Sequence, residues 1–204
     1  NVAGRDVWSP SRDELVAMTP NPQTGPQYSD LSRIAMEPAR TAREAVAIIG
    51  ALIDEYGYST YGGNSHMFAD EQEGWVLLNF AGGKGLWVAE RLGPDDVRMS
   101  YPGYIGDIPL DLKNSDNFMA SANFIDFAIE QGWYSPDSGE AFNVTKVYGV
   151  EKARYPRSAM EVELRAAAPI HLPALMNAVR DPRLAQDSPR YGPVSAPTAN
   201  PHPA

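Results

Sequence analysis

With 204 residues, 43% of them apolar and 10% aromatic, the chain is long enough to bury a sizeable core, as one large domain or two small ones. A net charge of −9, from 26 acidic against 17 basic residues with no Lys/Arg run, argues against nucleic acid and anionic membrane as partners. The absence of cysteine excludes disulfides, thiolate metal sites and a thiol nucleophile within this chain.

The chain opens Asn1-Val2-Ala3-Gly4 without an initiator Met, which suggests a processed or excised piece. Residues 1–40 carry prolines at 10, 20, 22, 26 and 38 and no sustained period, so they read as a loop-rich lead-in with short helices over 10–17 and 29–37. Thr41-Ala42-Arg43-Glu44 is a capping box. Ala45, Ile48, Ile49, Leu52, Ile53 and Tyr56 follow at helical spacing until Gly57, predicting a helix over 42–56.

From Gly63 to Gly106 the pattern changes to adjacent strands. NSHMFAD and GWVLLNF are parted by the acidic turn 71–73, and Gly82-Gly83-Lys84-Gly85 turns the chain into LWVAERL. Val76-Leu77-Leu78 and Leu86-Trp87-Val88-Ala89 are apolar at consecutive positions, which requires cover on both faces. Phe118, Ala122, Ile125 and Ile129 predict a further amphipathic helix, capped by Asp116 or Ser121 and stopped at Gly132. Ser158-Ala159-Met160-Glu161 is a second capping box, opening a helix that Pro169 ends, and residues 174–180 make a last helix after Pro173. From Asp187 the composition becomes that of a Pro-rich linker or cut loop, 187–204, which buries too little to order itself. No stretch approaches the roughly 20 apolar residues of a membrane span, and no signal peptide opens the chain.

On the first of these strands a period of two puts Asn64, His66, Phe68 and Asp70 on one face. There an oxyanion donor, a substrate-binding imidazole and an orienting carboxylate can be drawn from Asn64, His66 and Asp70. The plainer reading, which residue types alone favour, has Asn64 shaping a turn, His66 satisfied in the core and Asp70 capping the next turn. His66, His171 and His202 form no ligand cluster and there is no HExxH, so no metal site is visible. GGKG lies between two strands and lacks the helix N-terminus that a phosphate site needs. Asn143-Val144-Thr145 matches the glycosylation pattern, too short to carry weight. Arg154, Arg157 and Arg165 surround the third helix; Arg157 is the candidate clamp for a substrate carboxylate, against the plainer reading of a solvated basic face.

The blocks GNSHMFADEQEGW, GLWVAERLGPDDVRMSYPGYIG, DNFMASANFIDFAIEQGWYSPDSGEAFNVTKVY and LMNAVRDPRLAQD, in that order, resemble the dipeptidase A family of cysteine peptidases, which are N-terminal-nucleophile hydrolases. The resemblance runs from about Ala39 to Tyr191. It implies an α+β fold, a four-layer αββα sandwich to which residues 41–186 contribute and which companion chains complete. It also implies amide hydrolysis by an N-terminal cysteine with its α-amine as base and no cofactor, on dipeptides with a free amino terminus.

This sequence departs from that pattern. Residue 1 is Asn, whose amide nitrogen is delocalised and no nucleophile, and no Cys occurs anywhere. No catalytic residue is therefore assigned in this chain, which should be inactive alone; a companion chain from the same precursor is expected to carry the cysteine. Where many members place an Asn near the end of the strand block, this chain has Pro102-Gly103, so the group completing the oxyanion site is open. Asn64, His66 and Arg157 stand as candidate substrate-binding residues. The alternatives are an N-acyl amide hydrolase of the same superfamily, distinguished by an apolar acyl pocket, and an inactive binding or structural module, which a partner segment beginning with Cys, Ser or Thr would rule out. Processed hydrolases of this type suggest export rather than a cytoplasmic location, by analogy only.

Overall fold

The structure is a computed structural model and describes residues 1–60, 62–98, 105–149 and 157–181. The chain divides into two compact units, the first comprising Asn1–Asp96 and Ser100–Glu151, the second Val97–Met99 and Lys152–Ala204. The architecture is mixed α+β with an antiparallel sheet and several helices.

The first unit is built on a five-stranded sheet of order β1-β2-β3-β4-β6, from β1 (Ala3–Ser9), β2 (Gly63–Ala69), β3 (Gly74–Asn79), β4 (Trp87–Leu92) and β6 (Phe118–Ala120). A two-stranded ribbon joins β5 (Asp107–Ile108) to β7 (Phe142–Asn143). All pairings within both are antiparallel. The β3–β4 turn holds Gly82, Gly83 and Gly85 at φ of 96°, 65° and 64°, where a side chain would be strained.

Both sheet faces are covered, as the consecutive apolar residues demanded. On one side lie α2 (Tyr28–Met36) and α3 (Ala42–Tyr56), whose Leu31, Ala35, Ala45, Val46, Ile49 and Ile53 pack with Phe68, Trp75, Leu77 and Trp87. Gly50 lets α3 approach closely, since a Cβ there would run into the Trp87 ring. Trp87 Nε1 donates to Asp54 Oδ1 at 2.9 Å across the same contact. On the other side, Val76, Leu78 and Val88 pack with Leu15 of α1 (Asp13–Ala17), Phe124 and Ala128 of α4 (Phe124–Glu130), and Val144, Val147 and Tyr148 of α5 (Val144–Tyr148).

The helix over 42–56 is found at those residues, and its cap is more elaborate than the sequence motif. Thr41 Oγ1 accepts from Glu44 N–H at 3.1 Å, while Glu44 Oε2 accepts from Arg40 N–H at 2.7 Å, one residue before the usual reciprocal partner. The next free donor, Ala42 N–H, is taken by Asp70 Oδ2 at 2.7 Å. Asp70 thus anchors the helix N-terminus to the β2–β3 turn, where its Oδ1 also accepts from Gln72 and Glu73 N–H.

Three elements differ from the sequence reading. The lead-in holds β1, an edge strand whose AGRDVWS pattern carries only two large apolar residues; pairing with β2, not hydrophobic period, creates it. Phe118 belongs to β6 and not to a helix: Arg91 N–H and Ser121 N–H bond across to Asn117 and Trp87 carbonyls, and the helix starts only at Phe124. Residues 107–108 pair with 142–143, a ribbon for which the sequence reading had no strand. In the second unit α6 (Arg157–Ala166) and α7 (Leu172–Val179) occupy the two predicted helical segments. The linker 187–204, Arg154, Gly103 and His202 lie outside the described residues.

Candidate functional site

The register places Trp8, Asn64, Asn79 and Trp87 side by side across four strands, each opposite the next. Opposed residues share a face, so this row lies on the side covered by α2 and α3. It is a polar interruption of an apolar layer: Asn64 and His66 are fully buried and Asn79 is 1% exposed. Buried Ser9, Ser11 and Ser65 line the opposite side of the same sheet end. Ser9 and Ser65 hydroxyls bond one another, and Ser11 Oγ accepts from Ala81 N–H at 3.2 Å.

His66 is held from both ends. Ser32 Oγ on α2 lies 2.7 Å from Nδ1, and Asn64 Nδ2 lies 3.3 Å from Nε2. With Asn64 donating to Nε2, the ring proton sits on Nδ1 and is donated to Ser32. Burial drives the imidazole pKa down to about 4, opposed weakly by the Asn79 amide nearby. The ring is therefore neutral near pH 7, enclosed, and suited to orienting Asn64 rather than to taking a proton.

The two asparagines are left with unused valence. Asn64 Oδ1, Asn79 Nδ2 and Asn79 Oδ1 make no close hydrogen bond among the described residues, the Asn79 amide standing near His66 at longer range. A buried amide without partners costs on the order of 1–3 kcal/mol per group, so a pair of them in a well-packed layer calls for a compensating role. Together they offer an N–H and C=O groups side by side, the complement of a peptide group.

The sequence candidates thus divide. Asn64 and His66 are brought together, while Asp70 is engaged as a helix and turn cap, the plainer of the two readings made for it. Its carboxyl is held below the usual range, first by Ala42 N–H and then by Gln72 N–H. Arg157 opens α6 in the second unit, with its side chain outside the described residues. Arg165 Nη2 donates to the Val97 carbonyl at 3.2 Å. Asn143 caps α5 through Lys146 N–H and donates to Asp107. Sequence reasoning missed Asn79 and Ser32. A signal for Asn79 existed, an amide closing the otherwise apolar strand GWVLLN; Ser32 had none, being one serine on an amphipathic helix. Among the described residues no group of three His, Asp or Glu is placed to hold a metal ion.

A model of peptidase family C69 matches residues 10–158, and the chain belongs to that family. It is 30% identical over 140 residues to a probable dipeptidase A of Streptococcus pyogenes serotype M3, an alignment covering 69% of this chain and 28% of that protein. It is 32% identical over 109 residues to a dipeptidase of Bifidobacterium longum, covering 50% and 20%. A probable dipeptidase of Salmonella dublin is 28% identical over 141 residues, covering 66% and 31%. The chain therefore spans less than a third of the length of these relatives.

Proposed function

We propose that this chain is part of a processed N-terminal-nucleophile peptidase that hydrolyses dipeptides, with the nucleophile on a companion segment and the four-layer αββα sandwich completed on assembly. Its own contribution is the sheet, its helical cover and one wall of the substrate site. In this reading Asn64 and Asn79 supply hydrogen bonds to the substrate amide, Asn79 Nδ2 being the donor for the carbonyl oxygen that gains charge during attack. His66 fixes Asn64.

Membership of family C69 supports the class, and the names of the relatives support a dipeptide as substrate. The observation that carries the site is the pair of buried asparagines whose N–H and C=O groups make no close hydrogen bond among the described residues. The test is hydrolysis by the assembled protein. Dipeptide cleavage that a thiol alkylator abolishes and that Asn79→Leu reduces by about two orders of magnitude, the usual weight of one oxyanion donor, supports the reading. Unchanged turnover in Asn79→Leu removes the asparagines from the site, and absence of any dipeptide hydrolysis overturns the function.

A further inference from the structure

The far edge of the sheet carries a second feature. β6 pairs with β4 through Ser121 N–H to the Trp87 carbonyl at 3.0 Å and Arg91 N–H to the Asn117 carbonyl at 2.8 Å. In an antiparallel ladder this alternation turns residues 117, 119 and 121 toward β4 and residues 118 and 120 outward. Phe118 N–H is taken by Ser115 Oγ at 3.1 Å, whereas Ala120 N–H and C=O make no hydrogen bond with the described residues.

Beside that edge runs an open groove of about 580 Å³. Leu110 and Leu112, Ile125 and Ile129 of α4, and Ala120 and Ser121 line it. Leu110 and Ile129 are 47% and 38% exposed. Its charged lining residues are Asp111, Asp126 and Lys113. A backbone donor and acceptor left unbonded by the described residues and bordered by an apolar trough is the geometry that takes an added strand: main-chain bonds give affinity and the trough receives alternate side chains.

We infer that β6 is completed by a strand of the same longer polypeptide, laid along Ala120 with its apolar side chains in the Leu110–Ile129 groove. This rests on the multi-segment arrangement proposed above. An edge that the described residues leave open, flanked by exposed leucine and isoleucine, is an aggregation hazard in a permanent surface, which favours a constant occupant over a transient one. The alignments leave about 70% of the length of the relatives unmatched, ample chain to provide it. With two carboxylates against one ammonium in the groove lining, the strand should carry a basic residue next to Asp126.

The test uses the 204-residue chain and the remaining product of its own reading frame as a separate chain. In the assembled protein the Ala120 amide should become at least roughly tenfold more protected from hydrogen exchange than in the chain alone, the protection one added hydrogen bond confers. Ala120→Pro removes only the outward N–H and leaves the β4 ladder intact, and Ile129→Glu places a charge in the groove. Each should weaken assembly by about tenfold or more while the unfolding midpoint of the chain alone stays unchanged. Assembly with an unprotected Ala120 amide, or with both variants assembling normally, overturns the strand but not the peptidase. Absence of further coding sequence, or of assembly, overturns both.

Discussion

The two faces of the central sheet are covered by helices in the same way, yet they are filled differently. On the α4–α5 face, Phe80, Phe124, Phe142 and Tyr148 make a continuous aromatic cluster, with Phe124 and Tyr148 centroids 4.8 Å apart. Its one buried hydroxyl, Tyr148 Oη, donates to the Phe124 carbonyl at 2.5 Å, and burial raises its pKa. On the α2–α3 face the apolar layer is broken at one end by Asn64, His66 and Asn79, with three amide atoms lacking a close hydrogen bond among the described residues. The first face is filled by aromatic and aliphatic side chains, with the Ser9–Ser65 hydroxyl pair at its end. The second gives up apolar packing at the end where the candidate residues Asn64 and His66 lie, the pattern expected when stability is traded for a site.

The comparison makes distinct predictions for the two sides. Phe124→Ala opens a cavity among three rings and should destabilise by about 3–5 kcal/mol, read from the urea midpoint at constant slope. A loss below about 1 kcal/mol would mean that the aromatic face collapses around the cavity and is less rigid than its packing implies.

His66 gives the next largest effect and a pH signature. Its pKa falls from the ordinary 6.5 to about 4 on burial, so between those values the unfolded chain binds the extra proton. Stability is then fully retained above about pH 6.5 and declines as pH falls toward 4, by about 3 kcal/mol in all, levelling off below. His66→Asn should flatten this part of the stability profile measured between about pH 4 and 7. A wild-type profile already flat there would place the imidazole in a polar, hydrated setting.

Asn79→Leu should act in the opposite direction. Replacing a buried amide that lacks a close hydrogen bond by an apolar side chain of similar size should raise stability by about 1–2 kcal/mol, while turnover of the assembled protein falls. A destabilised variant would mean that the amide has partners within the fold and is structural.

Legibility followed the physics of each element. The helix over 42–56 and strands β2, β3 and β4 were written locally, by a capping box, a 3.6-residue period and apolar runs between glycine turns. β1 was not, because an edge strand with half its surface in solvent needs no apolar pattern and exists through its register with β2. Phe118 misled because it sits at helical spacing from Ala122 while cross-strand bonds to β4 hold it extended. The asparagine row is a product of register: Asn64 and Asn79 are 15 apart in sequence and become neighbours only when the β2–β3 hairpin closes. A strand period can place Asn64 and His66 together, but Ser32 reaches the ring through the packing of α2.

Asp70 sharpens the contrast most narrowly, since it shares the alternation of Asn64 and His66 and looks equally chemical in the sequence. Its oxygens are committed to Ala42, Gln72 and Glu73 N–H at 2.7, 2.8 and 3.0 Å. It sits at the opposite end of β2 from Asn64, about 20 Å away at ~3.3 Å per residue. Asp70→Ala should therefore cost about 1 kcal/mol, the weight of a lost cap, and because its pKa is depressed this contribution disappears as acid protonates the carboxylate. The kcat and KM of the assembled protein should not change. A fall in kcat in a normally folded Asp70→Ala variant would extend the functional row along the whole strand and erase the distinction between its two ends.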